Sequence, residues 1–392
     1  MFAKPRNASE PAAHSNLNIV HVVDSLEMGG LERVTTDLAK AQKAAGHHVS
    51  VFSINTSATG LKDELKTAGI EVIEGHKKTT FDRKVLSALR YWIRDQHIEV
   101  VHAHNFVPNY HAAFATLGLR NRPVQICTCH DMGMRLSNRK LRWLFKWSLT
   151  RTAEVAMVGK QVYDRYLSMG LVKADRAHAV LNGIPVDRFS ASTQRRQQAR
   201  LALDLTEQNM VIGCVGRLVP LKNHQRVIDV MPALLVRHPE LRLVIVGDGE
   251  RRQALNDQVT RMGLESHVHL TGQCKNVSDL LPAFDIFALP SQTEGVSIAL
   301  LEACATGLAV IATRVGGNPE IIHDQETGLL IPPDDNTALQ AALIQMIESQ
   351  ALRQNLGQRA AAWVRQHASD LTLRKAYDQC YARARLRAQA LR

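Results

Sequence analysis

Short apolar runs alternate with helix-length amphipathic stretches from Asn18 onward, and the alternation runs its course twice. Ile19–Val23, Val49–Ile54, Val72–Ile73, Val100–His102, Val124–Thr128 and Val155–Val158 predict the strands of a first sheet. The pattern restarts after Pro185, with Val211–Val215, Leu243–Val246, Val268–Leu270, Ile286–Leu289 and Val310–Ala312 predicting a second. Strands separated by helices pair in parallel and are covered on both faces, so the expected class is α/β, two doubly wound parallel sheets facing a cleft. A chain of 392 residues is also longer than one core usually covers. The boundary falls at Asn182-Gly-Ile-Pro-Val-Asp-Arg-Phe189 and the polar segment Ser190 to Arg200, giving a first domain over 17–187 and a second over 188–370.

Hydrophobic residues make up 45% of the chain, enough for two cores, yet no apolar run approaches the roughly 20 residues of a membrane span. Residues 1–16 are mostly polar or small and read as a loose tail, not a secretory signal, so a cytoplasmic protein is expected. Six scattered cysteines fit a reducing compartment, and Cys127-Thr-Cys129-His130 lacks a second ligand pair, so no metal is expected.

The net charge of +11 is uneven: Met1 to Ser190 holds 26 basic against 17 acidic residues, the remainder 22 against 20. That bias suits anionic lipid headgroups or a phosphorylated substrate; a solvated basic surface with no partner explains it equally well. Nucleic acid is not expected, because the basic residues are not interleaved with base-stacking aromatics. Asn138 to Trp147 mixes basic and aromatic residues at helix spacing. It suits a membrane surface, or a helix packing Leu141, Leu144, Phe145 and Ser148 on the sheet with its cations in water.

Ligands of open α/β sheets sit beyond the carboxyl ends of the strands, so the chemistry belongs to the loops there. Leu289-Pro-Ser-Gln-Thr-Glu294-Gly295-Val296-Ser297 joins a buried strand to an apolar helix carrying Glu302. Free backbone N–H groups at such a helix start favour an anion, and a carboxylate inside an apolar helix needs something to hold. Gly29 and Gly30 follow the first strand and let a ligand approach the backbone at another helix start. Gly216-Arg217 and Lys222 place a guanidinium and an ammonium on one loop, a suitable pair for a diphosphate. Gln273 follows a further strand of the second sheet; His104, Asn105, His130 and Asp131 follow strands of the first, on the acceptor side.

Together, Gly29-Gly30, His130-Asp131, Asn182-Gly183, Gly216-Arg217 with Lys222, Gly247-Asp248-Gly249, and Glu294 seven residues before Glu302 resemble the retaining glycosyltransferases of family 4. The similarity covers nearly the whole chain, and its opening strand to Arg33 resembles exopolysaccharide-assembly members. It implies the GT-B architecture of two Rossmann-like domains and a last helix, 371–392, returning to the first domain. It further implies metal-independent transfer of a hexose or N-acetylhexosamine from a nucleotide-diphosphate sugar, a UDP-sugar above all, to a glycan or lipid-linked acceptor of bacterial surface polysaccharide, without further cofactor. Glu302 would take the ribose hydroxyls and Glu294 the donor sugar. Arg217 and Lys222 would hold the diphosphate with Gly30, Gly216 and the amides of Gly295 to Ser297, and His130 would lie near the transferred sugar. Gly-Val-Ser follows Glu294 where many relatives have Gly-Phe-Gly. A nucleotide-sugar epimerase of the same plan, or a catalytically silent nucleotide-sugar-binding partner, are the competing readings. Peripheral attachment to the inner face of a membrane follows from the basic first half and the lipid-linked acceptor.

Overall fold

The computed structural model describes residues 16–27, 29–57, 60–79, 81–130 and 138–390. The tail expected over 1–16 lies, but for Asn16, outside the described residues, and so does Asp131. The first half runs β1 (Asn18–Val23), α1 (Gly30–Ala44), β2 (His48–Ser53), α2 (Leu61–Thr67), β3 (Glu71–Glu74), α3 (Arg83–Asp95), β4 (Val100–His104), α4 (Phe106–Ala115), β5 (Val124–Cys129), α5 (Arg139–Thr150), β6 (Glu154–Val158), α6 (Lys160–Ser168) and β7 (Ala177–Val180). These strands form one seven-stranded parallel sheet in the order β3-β2-β1-β4-β5-β6-β7.

The second half runs α7 (Thr193–Leu201), β8 (Met210–Val215), α8 (Gln225–Leu235), β9 (Leu241–Val246), α9 (Arg252–Arg261), β10 (Val268–Gly272), β11 (Ile286–Leu289), α10 (Ile298–Ala305), β12 (Ala309–Thr313), α11 (Asn318–Ile321), β13 (Leu329–Ile331), α12 (Asn336–Glu348) and α13 (Gln350–His367). Its six parallel strands are ordered β10-β9-β8-β11-β12-β13. Both sheets are thus doubly wound, as expected. β1, β4 and β5 are buried almost throughout, and so are β8, β11 and β12, which explains their largely apolar sequences.

Three features depart from expectation. The edge strands β7 and β13 were not anticipated; each pairs on one side only, and Ala177-His-Ala-Val180 is too sparsely apolar to stand out. The polar segment after Ser190 is not a loose linker. From Thr193 it is helix α7, capped by Ser192, and its Arg196 and Arg200 bind the Asp285 carboxylate at 2.7 and 2.8 Å, with Arg200 1% exposed.

The chain passes between the halves twice, side by side: Ile184 accepts from Asp370 N at 2.8 Å, and its own N–H donates to the Ala368 carbonyl at 3.0 Å. A side chain at Gly183 would run into the Ser369 carbonyl. From that crossing α14 (Asp370–Ala390) returns over the first sheet, packing on α1, β5 and β6. Its buried Tyr381 hydroxyl meets Gln42 Nε2 and His102 Nδ1, each at 2.8 Å, and its Tyr377 hydroxyl meets Thr128 at 2.8 Å.

Two further contacts bridge the halves. Ile298 at the start of α10 packs on core residues of both, and an atom added at Gly30 would lie 3.6 Å from its side chain. The helix α6 has no cap of its own at Gly159; instead Glu320 of α11 accepts from Lys160 N at 2.7 Å and Gln161 N at 3.1 Å.

Candidate active site

The loops after β8 and β11 form one unit. Gln292 N donates to the Leu221 carbonyl at 2.8 Å, tying the two together. Glu294, 8% exposed, receives the Lys222 ammonium and the Ser291 hydroxyl on the same oxygen, Oε1, each at 2.6 Å. Its Oε2 makes no hydrogen bond among the described residues. Lys222 lies against Gly216, its Cδ and Cε 3.7 Å from where a β-carbon would stand there. Buried His224 adjoins the same spot, and burial with the nearby Lys222 charge pushes its imidazole down to about 4, so it stays neutral at pH 7.

The turn after Glu294 is supported from behind. Gly317 N donates to the Gly295 carbonyl at 2.9 Å, and Gly316, at φ +55°, passes so close to the Glu294 carbonyl that a side chain there would overlap it. Thr313 donates to the Ser291 carbonyl at 2.6 Å. So braced, the backbone N–H groups of Gly295, Val296 and Ser297 donate to no group among the described residues. Ser297 itself caps α10 through its side chain, which accepts from Leu300 N.

One turn further, Glu302 has no hydrogen bond or ion pair to its carboxyl among the described residues. Burial pushes that carboxyl up to about 7, helped by Asp37 and opposed by Arg188 and Arg33. Two of these three charges, Asp37 and Arg33, belong to α1 of the first half. Across from it Gly29 and Gly30 open α1 with no side-chain cap. The Glu32 carboxyl folds back over Gly29; burial raises its pKa and exposed Arg217 of the opposite half lowers it. Arg217 thus lies within electrostatic reach of the start of α1.

Elsewhere the structure redistributes the expected residues. His104 is no acceptor contact: it is 2% exposed, its Nε2 bonded to His21 Nδ1 at 3.0 Å and its Nδ1 to Thr35 at 3.3 Å. His21, His102 and His104 present ligand atoms within 4.8 Å of one another. Every ring nitrogen of the three is nonetheless occupied by a protein partner, since His21 Nε2 takes Gln42 and His102 takes Thr128 and Tyr381. Burial drives His21 down to about 4 and the other two well below the ordinary imidazole range, so the cluster is a neutral polar core. Asn105, at φ +66°, acts through its side chain, which accepts from His130 N at 2.8 Å and fixes that residue at the sheet edge. His130 is half-buried, and burial pushes its ring down to about 4. Gln273 is exposed beyond β10, an edge strand, and its side chain makes no hydrogen bond to the other expected site residues among those described.

His224, Ser291, Glu32 and the Gly316-Gly317 brace were not anticipated. The last had a readable signal, since a glycine pair after an apolar run is the pattern that singled out Gly29-Gly30. The others are ordinary residues whose place shows only when two loops meet.

Comparison with known proteins follows the same division. The Glycosyltransferase Family 4 profile matches residues 28–188 and the Glycosyl transferases group 1 profile residues 195–363. The UDP-Gal:alpha-D-GlcNAc-diphosphoundecaprenol alpha-1,3-galactosyltransferase of Escherichia coli is 24% identical over 354 residues, 87% of this chain and 90% of its own. A GDP-mannose-dependent monoacylated alpha-(1-6)-phosphatidylinositol monomannoside mannosyltransferase of Corynebacterium glutamicum is 33% identical over 193 residues, 47% of this chain and 50% of its own. Among solved structures, HepE of Anabaena in complex with UDP and glucose superposes with a TM-score of 0.82 at 20% identity, covering 94% of this chain and all of that one.

Proposed function

The chain belongs to family 4 of the glycosyltransferases, with the GT-B fold, and from that premise we propose that it moves a hexose or N-acetylhexosamine from a UDP-sugar to a glycan or lipid-linked acceptor, with retention and without a metal. The observation that carries the reading is the row of unpaired amides at Gly295, Val296 and Ser297 beside Lys222. Breaking a sugar–phosphate bond builds negative charge on the departing diphosphate. Fixed amides and cations offset that charge where it develops, at no cost in reorganisation. Arg217 and Lys222 supply the positive charge a divalent ion supplies elsewhere.

Glu294 holds Lys222 with one oxygen and keeps the other for a hydroxyl of the donor sugar. Glu302, half-buried and with no hydrogen-bond partner for its carboxyl among the described residues, is disposed to accept both ribose hydroxyls. This reading needs no carboxylate nucleophile. The acceptor proton passes to a phosphate oxygen on the side where the acceptor enters, so the new bond forms on the face the diphosphate leaves. His130, neutral at pH 7, serves as a hydrogen-bond partner of the sugar and not as a charge.

The lipid-linked acceptor and the uridine base are supported by the galactosyltransferase relative and by the UDP-bound neighbour; the mannosyltransferase relative makes guanosine the rival. Thermal shift with UDP-glucose, UDP-galactose, UDP-N-acetylglucosamine and GDP-mannose, each with and without EDTA, tests the reading. A UDP-sugar should raise Tm most, and EDTA should change nothing. A larger rise with GDP-mannose overturns the base, loss of the shift in EDTA overturns metal independence, and an inverted anomer in the product overturns retention.

A further inference from the structure

The described residues contain three well-exposed aromatic side chains, Phe81 at 45%, Tyr91 at 67% and Trp143 at 70%, and all three lie on or beside α3 and α5. These two helices flank α4, which packs against both. The exposed face of α5 carries Arg139, Lys140, Arg142 and Lys146 around Trp143 and no acid, while Phe145, Ser148 and Leu149 are buried against the domain. Alongside, Arg83 and Lys84 open α3 on the surface, where Asp82 accepts from the N–H groups of Lys78 and Lys84, and exposed Asp95 ends the helix.

Between the basic faces runs a continuous aromatic seam. Trp147 of α5 lies 4.5 Å, ring centre to ring centre, from Phe114 of α4, which lies 4.9 Å edge-on from Phe81. A solvated basic face does not need Trp143 and Phe81 at its crest, and an aromatic patch alone does not need cations around it. Aromatic bodies ringed by long basic side chains match the boundary of an anionic bilayer, where rings sit among headgroups and ammonium and guanidinium groups meet phosphates. In chain order α5 follows β5, whose carboxyl end carries His130.

We propose that the face built from α3, α4 and α5 is the surface on which this enzyme lies against an anionic membrane, bringing the first-half side of the cleft to a lipid-borne acceptor. This deepens the reading of a lipid-linked acceptor and rests on it for its purpose, not for its physics.

The test is cosedimentation of the full chain with vesicles of phosphatidylglycerol and phosphatidylcholine, and of phosphatidylcholine alone, at low and high salt. The mixed vesicles should bind the protein at low salt and release it as salt screens the charge. Each basic residue near such a surface contributes about fivefold in affinity, so Arg142→Gln with Lys146→Gln should weaken binding about 25-fold. Trp143→Ala should weaken it about tenfold. Trp143→Phe should largely restore it, and circular dichroism of each variant should match the parent. Nucleotide-sugar thermal shifts, read on the same variants, should not move. If donor binding fails while vesicle binding follows these variants, the enzymatic reading falls and the membrane face stands. Vesicle binding indifferent to these substitutions, no binding at low salt, or capture by dextran sulfate but not by vesicles overturns the proposal.

Discussion

Replacing Glu302 by Gln separates what this carboxyl costs the fold from what it does for a ligand. In the folded chain its pKa is about 7 against an ordinary 4.5, so the fold holds the proton more tightly than the unfolded chain does. Stability from this group is therefore complete below about pH 4.5 and is lost as pH rises through about 7. The gap, at about 1.4 kcal/mol per tenfold, amounts to ~3 kcal/mol as an upper bound on the cost of the ionised form. Gln carries no such charge but keeps polar atoms to satisfy, so Glu302→Gln should be about 1–3 kcal/mol more stable than the parent at pH 8 and about equal at pH 5. Ribose hydroxyls donate best to the ionised carboxylate, so UDP affinity should fall about tenfold per pH unit below 7 in the parent, and stay flat in the variant. Urea unfolding at the two pH values, with calorimetric titration of UDP between pH 5.5 and 8, reads both. A variant destabilised equally at pH 5 and pH 8, or one with the parent's pH slope for UDP, would refute an unpartnered, ligand-seeking carboxyl.

Three further outcomes follow from the geometry. Lys222→Met leaves Glu294 with Ser291 as its sole hydrogen-bond donor; unfolding free energy should drop by about 1–3 kcal/mol and the UDP-sugar thermal shift should vanish, whereas an unchanged shift removes Lys222 from the donor site. Gly316→Ala sets a side chain on the Glu294 carbonyl at a left-handed backbone position, so turnover should fall at least tenfold with the circular-dichroism spectrum intact; full activity would show the brace to be slack. Tyr381→Phe deletes the hydroxyl shared by Gln42 and His102, and should cost about 1–3 kcal/mol in urea unfolding without changing turnover; a loss of rate at unchanged stability would put the histidine cluster in the chemistry.

The two sheets were legible because a strand buried on both faces must be apolar along its length, as Val155 to Val158 and Ile286 to Leu289 are. The edge strand β7 lacks that pressure, β13 is buried and apolar but only three residues long, and α7 went unread because its apolar content is slight and its hold on the domain is ionic, through Asp285. At the site, Glu294, Lys222 and the turn at Gly295 to Ser297 were readable from their place after strands, and the structure joins them directly. His104 misled for the same reason: a strand end can point into the core as readily as into the cleft, and this one turns to His21 of β1 and Thr35 of α1, while Tyr381, arriving on α14 from 279 residues downstream, covers the neighbouring His102. Pairings between distant segments leave no local pattern to read.

The helix α6 begins in one half of the molecule and is finished by a carboxylate from the other. Swinging the halves apart strips Glu320 from the amides of Lys160 and Gln161, handing all three groups to water. The rate at which those two amide hydrogens trade with deuterium is thus a built-in gauge of how often the jaws part, readable on the unmodified chain.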